Sequence, residues 1–199
     1  MSSTDDKAVS INVGLRDRQR SGWLDGETGE IFNGIFVHAG MTVADVGCGD
    51  GSYSAFCARR GANVTFVDIQ EEKVKNLDER LRPIAEGELR GIVSDCNPIP
   101  LDDGTADLVI STEVLEHVRN PADFLDEIVR IGKADASYLI TVPDARGEDL
   151  VRDIAHPAYF EEPNHIQRFT SDDFEQLVRN AGLEVIHHDY LAGFWAMFY

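Results

Sequence analysis

With 199 residues, 43% of them apolar and 27% charged, the chain has the make-up of one globular domain with a buried core. No run approaches the roughly 18 to 20 apolar residues of a membrane-spanning helix. Lys and Arg total 18 against 36 Asp and Glu, a net charge of −18. Such a surface repels phosphate backbones and anionic lipid, so neither nucleic acid nor a membrane is an expected partner.

The opening Met1-Ser2-Ser3-Thr4-Asp5-Asp6 is polar and acidic, unlike a secretory or basic transit segment. Residues 1–20 are expected to be a disordered or helical tail, with Arg16, Arg18 and Arg20 on a solvated helix face. The cysteines Cys48, Cys57 and Cys96 are odd in number and form no C-x-x-C. Reduced thiols, a cytoplasmic location and no metal site are the matching expectations. Residues 21–199 read as a single domain that begins with a helix over 29–39, where Phe32 and Phe36 serve as core.

Apolar runs then alternate with amphipathic stretches, the pattern of βαβ units and a doubly wound, mostly parallel α/β sheet. Strands are predicted over 42–46, 64–67, 89–93, 106–110, 137–142 and 183–188. Helices are predicted over 52–60 with Ser52 as N-cap, over 71–84, from Asn120-Pro121 to Ile131, and from a Thr170 or Ser171 cap to Ala181-Gly182. Residues 143–169 carry prolines and no clean period, and read as a long functional loop or lid. The apolar, aromatic end over 191–199 fits a hairpin or a helix cut short.

In such sheets ligands gather beyond the carboxyl ends of the strands. The first predicted strand ends in Asp45-Val46-Gly47-Cys48-Gly49-Asp50-Gly51-Ser52. Its glycines allow a tight turn and let backbone come close to a ligand. The spacing is G-x-G-x-G, whereas the dinucleotide fingerprint is G-x-G-x-x-G/A. The carboxylates of Asp45 and Asp50 would repel a pyrophosphate and attract a cationic nucleoside such as S-adenosylmethionine (SAM). Asp68, at the end of Thr65-Phe66-Val67-Asp68, can accept the hydroxyls of a ribose, or cap the helix that follows. Asp95, in Ser94-Asp95-Cys96, can accept an adenine amine while the Cys96 amide donates to the ring. The stretch from Ser111 to Val118 follows the fourth strand and borders the reacting pocket.

These motifs resemble the class I SAM-dependent methyltransferases, in the style of the small-molecule branch that includes the ubiquinone-biosynthesis enzymes. The resemblance rests on DVGCGDG, the Asp closing FVD, SDCNPIPLDDGTADLVISTEVLEHV and NHIQRFTSDDFEQLVRNAGLEV, and spans roughly residues 41–186. It implies a sheet in the order 3-2-1-4-5-(7)-6, with the last strand open to being absent. It also implies SAM as cofactor and a small-molecule oxygen, nitrogen or carbon acceptor. By the same resemblance, Asp45, Gly47, Cys48, Gly49 and Gly51 line the methionine and ribose. Asp68 holds the ribose, Ile69 packs on adenine, Asp95 and Cys96 read its edge, and Ser111 and Glu113 border the methionine end.

His165 is the candidate catalytic base, since imidazole moves protons near neutral pH, although it could equally fix the path of its loop. An amine-methylating N/D-P-P-Y tetrapeptide is absent after the fourth strand, where Ser111-Thr112-Glu113-Val114 stands. Two other functions share the pattern: a non-catalytic SAM-binding domain, and an NAD-dependent oxidoreductase on the same fold.

Overall fold

Among the described residues, seven strands arise where β-branched and aromatic residues cluster, and helices where apolar residues recur every three or four positions. The computed structural model describes residues 24–32, 34–153, 155–161 and 164–190. The expected tail over 1–20, with its three arginines, and the aromatic end over 191–199 lie outside the described residues.

The first described element corrects an expectation. Residues 29–39 form no helix but a small antiparallel pair, β1 (Glu30–Phe32) and β2 (Ile35–Phe36). The reason is local. Gly29 and Gly34 stand at φ 84 and 80, left-handed positions that interrupt a helix and turn a hairpin. Ile31, Phe32, Ile35 and Val37 are buried, a short apolar run whose period suits either element. Phe32 joins the core as expected, while Phe36 is 42% exposed.

The main sheet has the order β5-β4-β3-β6-β7, all parallel. Its strands are β3 (Thr42–Val46), β4 (Asn63–Asp68), β5 (Leu89–Val93), β6 (Ala106–Thr112) and β7 (Gly132–Thr141). In sequence terms this is 3-2-1-4-5, the central part of the expected order. α1 (Ser52–Arg59) links β3 to β4, α2 (Glu71–Leu81) links β4 to β5, and α3 (Pro121–Ile131) links β6 to β7. Period-two alternation sends Val43 into a core with Ile31, Val64, Phe66 and Leu77. It sends Ala44 and Val46 into a second core with Val67, Leu125 and Ile128 on the other face. Burial on both faces explains why these strands read as near-continuous apolar runs.

β7 begins at Gly132, earlier than the expected 137. The lid over 143–169 is more ordered than a loop. It holds α4 (Ala145–Val151), capped by Asp144, and a 3-10 turn over Pro157–Phe160. α5 (Ser171–Asn180) is capped by Thr170, whose hydroxyl accepts the Asp173 amide, and ends before Gly182 at φ 89. The sixth strand expected over 183–188 does not form: 183–190 pair with no strand among the described residues. Its alternation is genuine, since Leu183 and Val185 pack on the second core while Ile186 is exposed. A period-two apolar stripe can be satisfied by packing alone. No helix among the described residues is long and apolar enough to cross a membrane.

Candidate active site

Parallel pairing brings the carboxyl ends of β3, β4, β5 and β6 to one edge of the sheet, where the predicted site residues meet. The turn after β3 comes first. Gly47, Gly49 and Gly51 all have positive φ, at 74, 51 and 73. Added Cβ atoms distinguish them. At Gly47 a Cβ would lie 2.3 Å from Val114 Cγ2, and at Gly51 2.2 Å from Leu77 Cδ1. At Gly49 nothing lies within 4 Å. Two glycines therefore make room for the fold, and the middle one faces open space.

The carboxylates of the turn have separate tasks. Asp45 is buried, and its Oδ2 accepts the Ser54 amide at 3.1 Å and the Ser54 hydroxyl at 2.6 Å. It thereby satisfies an orphan N–H of α1, the capping task expected of Ser52, which instead begins the helix behind Gly51. Burial pushes its carboxyl up to about 6 despite those two bonds. Asp68, only 7% exposed, accepts the Gly49 amide on Oδ2 at 3.0 Å and the Gln70 amide on Oδ1 at 2.9 Å. An ionised carboxylate offers about four lone-pair directions, so two remain for a ligand. The ribose and helix-capping readings of Asp68 are compatible: one backbone bond per oxygen fixes the group and leaves each oxygen able to accept another.

Around Asp68 lie the residues expected to meet an adenine. Ile69 is 66% exposed and Val93 half exposed, apolar side chains that line this edge of the sheet. The Ser94 amide donates to the Asp68 carbonyl, which joins the tips of β4 and β5. Asp95 is exposed and accepts the Asn97 amide on Oδ1. The Cys96 amide is already given to Ser94 Oγ at 3.0 Å, and Cys96 sits at φ 61. A base read by that amide would have to displace the hydroxyl. Cys48, Cys57 and Cys96 are free and buried; burial raises all three thiols, Cys96 to about 12.

The segment after β6 flanks the same edge of the sheet. Ser111 is buried with its hydroxyl unpartnered. Glu113, at φ 57, is exposed, and its Oε1 accepts the Thr141 hydroxyl at 2.9 Å. A 3-10 turn over Leu115–His117 follows. Within it Glu116 is 1% exposed, and neither carboxyl oxygen has a hydrogen-bond partner. Burial first, then the neighbouring Glu113 and Glu148 charges, push this carboxyl up to about 8, so it is protonated at neutral pH.

His165 joins this cluster from the lid. Its Nδ1 lies 2.6 Å from Oε1 of Glu148 on α4, which is buried. The imidazole sits 4.2 Å from the Tyr159 ring and edge-on to His117 at 4.9 Å. The amides of Ile166 and Gln167 both donate to the Glu116 carbonyl, which holds the lid against the turn after β6. Burial raises the Tyr159 hydroxyl to about 12, with the three nearby glutamates adding to the effect. Donor atoms of Glu116, His117 and His165 fall within 4.8 Å of one another. A cation arriving there would have to displace the Glu116 proton. Sequence reasoning missed Glu116, which hides in an apolar frame of Leu115 and Val118. It also missed Glu148, which no local signal marks.

A family described as a methyltransferase domain matches residues 31–188. The chain belongs to this methyltransferase family. It is 32% identical over 114 residues to the mitochondrial ubiquinone biosynthesis O-methyltransferase of Schizosaccharomyces pombe, covering 56% of this chain and 41% of that protein. It is 24% identical over 176 residues to the ubiquinone biosynthesis O-methyltransferase of Cupriavidus pinatubonensis, covering 84% and 66%. The methyltransferase chain thus spans 41% and 53% of the first two curated relatives it matches, about half their length. A chain from the complex between the Haloferax volcanii Trm112 methyltransferase activator and a methyltransferase superposes with TM-score 0.68 at 25% identity, over 90% of this chain and 77% of that one. A SAM-dependent methyltransferase from Aquifex aeolicus shares the fold at TM-score 0.62 and 22% identity, over 86% and 88%.

Proposed function

We propose that this methyltransferase-family chain moves a methyl group from SAM to an oxygen, nitrogen or carbon of a small molecule. One observation carries the reading: the Asp68 carboxylate bonds the amide of Gly49, a glycine that an added Cβ would leave in open space. The residues present fit SAM. Asp68 has lone pairs left for two ribose hydroxyls, and exposed Ile69 and Val93 offer apolar faces to an adenine. The acidic net charge favours a cationic ligand.

When bound, SAM supplies an electrophilic methyl on a sulfonium that is already a good leaving group. The chain's part is alignment, which can contribute ~7–11 kcal/mol of the barrier. Gly47, Gly49 and Gly51 shape the floor, Asp68 fixes the sugar, and Ser111 and Glu113 border the reacting end. His165 would take a proton when the acceptor is a hydroxyl, a reading supported by its bond to the buried Glu148. The names of the relatives, a ubiquinone O-methyltransferase and a methyltransferase of 2-methyl-6-phytyl-1,4-hydroquinone, support an acceptor carrying ring hydroxyls. The oxidoreductase and non-catalytic alternatives gain no supporting feature.

Titration calorimetry with SAM tests the reading, with Asp68→Ala as the control variant. The wild-type chain should bind, and the variant should lose about 1.5–3 kcal/mol of affinity, the worth of hydrogen bonds to a charged group. Equal affinity in the two folded proteins would remove Asp68 from the sugar site. Binding of NAD without SAM would reject the proposal.

A further inference from the structure

We infer that Glu148 is a positioning residue for His165, and that the pair equips this site for acceptors that must lose a hydroxyl proton as they are methylated. The inference rests on the methyl-transfer reading above and names the acceptor chemistry within it.

The geometry departs from what a loop pin requires. A backbone carbonyl or an amide could hold the imidazole at less cost than a carboxylate, whose burial is expensive. Here Glu148 is 3% exposed and its Oε2 accepts no hydrogen bond, while Oε1 is committed to His165 Nδ1 at 2.6 Å. The closest cation is the Arg168 side chain, whose Nε lies 4.0 Å from Oε2. What a carboxylate adds over an amide is twofold. Being an acceptor only, it fixes the proton on Nδ1 and leaves Nε2 as the basic nitrogen. It also stabilises the imidazolium that forms once Nε2 takes a proton.

The rest of the surroundings hold the ring in one orientation. Tyr159 and His117 pack against it, the His165 amide donates to the Tyr159 carbonyl, and the next two amides bind the Glu116 carbonyl. A Glu116 carboxyl oxygen and a His117 nitrogen also lie within 4.8 Å of a His165 ring nitrogen, and the Glu116 carboxyl is pushed up to about 8 by burial and by the Glu113 and Glu148 charges, so it is protonated at neutral pH. In the step itself, the acceptor's O–H proton passes to His165 Nε2 as its oxygen bonds the methyl carbon. The electron pair of the broken carbon–sulfur bond stays on sulfur, and the imidazolium later releases its proton to water.

The test uses labelled SAM with two probes of one ring type: catechol, which keeps its hydroxyl protons near neutral pH, and thiophenol, which is largely ionised there. Glu148→Gln should lower kcat for catechol at least about 100-fold with little change in KM, the typical worth of acid–base assistance. Glu148→Asp should restore part of that loss, and thiophenol methylation should change less than about threefold, since it needs no base. Equal losses on both probes, or recovery of Glu148→Gln by added magnesium, would overturn the inference. A second measurement needs neither acceptor nor variant: the nitrogen resonances of His165 in the wild-type chain should report the proton on Nδ1. Finding it on Nε2 would refute the pairing role outright. Failure to bind SAM at all would instead sink the methyl-transfer reading, whatever the tautomer.

Discussion

Under the proposed function, the side of the site that would hold the nucleoside and the side that would meet the acceptor are built from different materials. On the nucleoside side, backbone does most of the work: left-handed glycines, amides of residues 49 and 70, and one carboxylate that ties them together. On the proposed acceptor side, side chains from the segment after β6, from α4 and from the rest of the lid converge on a cluster of three glutamates, two histidines and a tyrosine. The first arrangement suits a ligand part that never varies. The second suits chemistry that can be changed one side chain at a time.

The sharpest way to expose the contrast is pH. In the fold Glu116 keeps its proton up to about 8, whereas an unfolded glutamate gives it up near 4.5. The folded chain thus binds a proton that the unfolded chain has lost, so stability should fall as pH rises from about 4.5 to about 8 and level off above. The full effect is on the order of 5 kcal/mol. Glu116→Gln, which keeps the shape without the charge, should flatten that slope in urea melts across the range. An unchanged slope would mean that the carboxyl is not held neutral.

The next largest effect belongs to the nucleoside side. Gly51→Ala drives a Cβ into Leu77 at a left-handed position and should cost about 2–5 kcal/mol of stability, the ~1–2 kcal/mol of left-handed backbone plus ~1–3 kcal/mol of overpacking. Gly49→Ala meets no neighbour and should cost only the ~1–2 kcal/mol of left-handed backbone while weakening SAM binding. Equal loss of stability in the two would erase the distinction between glycines that serve the fold and the one that serves the ligand. Smallest of all, Ile69→Ala should leave stability within about 0.5 kcal/mol, as for exposed positions generally. It should still lower SAM affinity by calorimetry; unchanged affinity would take Ile69 out of the adenine wall.

The same contrast explains what was legible in the sequence. The five central strands and the turn after β3 were readable because β-branched runs and G-x-G-x-G are local patterns. Asp68 was readable because it closes a strand. The hairpin at 30–36 was not, since a short apolar run fits helix and strand alike and only the conformations of Gly29 and Gly34 decide. Leu183 and Val185 alternate as a strand does, yet their burial needs no ladder. Glu148 was invisible for another reason: its partner lies 17 residues on, across a bend that the lid's prolines obscure. Asp45 was visible at the turn, but its bonds to Ser54 were not, because sequence places a carboxylate at the rim of a turn without telling which way it points.

Glu113 sits at φ 57, a backbone state that glycine enters freely and a glutamate enters against a penalty of about 1–2 kcal/mol. Its carboxylate is anchored to the Thr141 hydroxyl and lends charge to the Glu116 environment. The strand end therefore stores a small conformational debt at the threshold of the acceptor pocket. A glycine there would release the tension and make the polypeptide sturdier, but it would also strip the threshold of its charge.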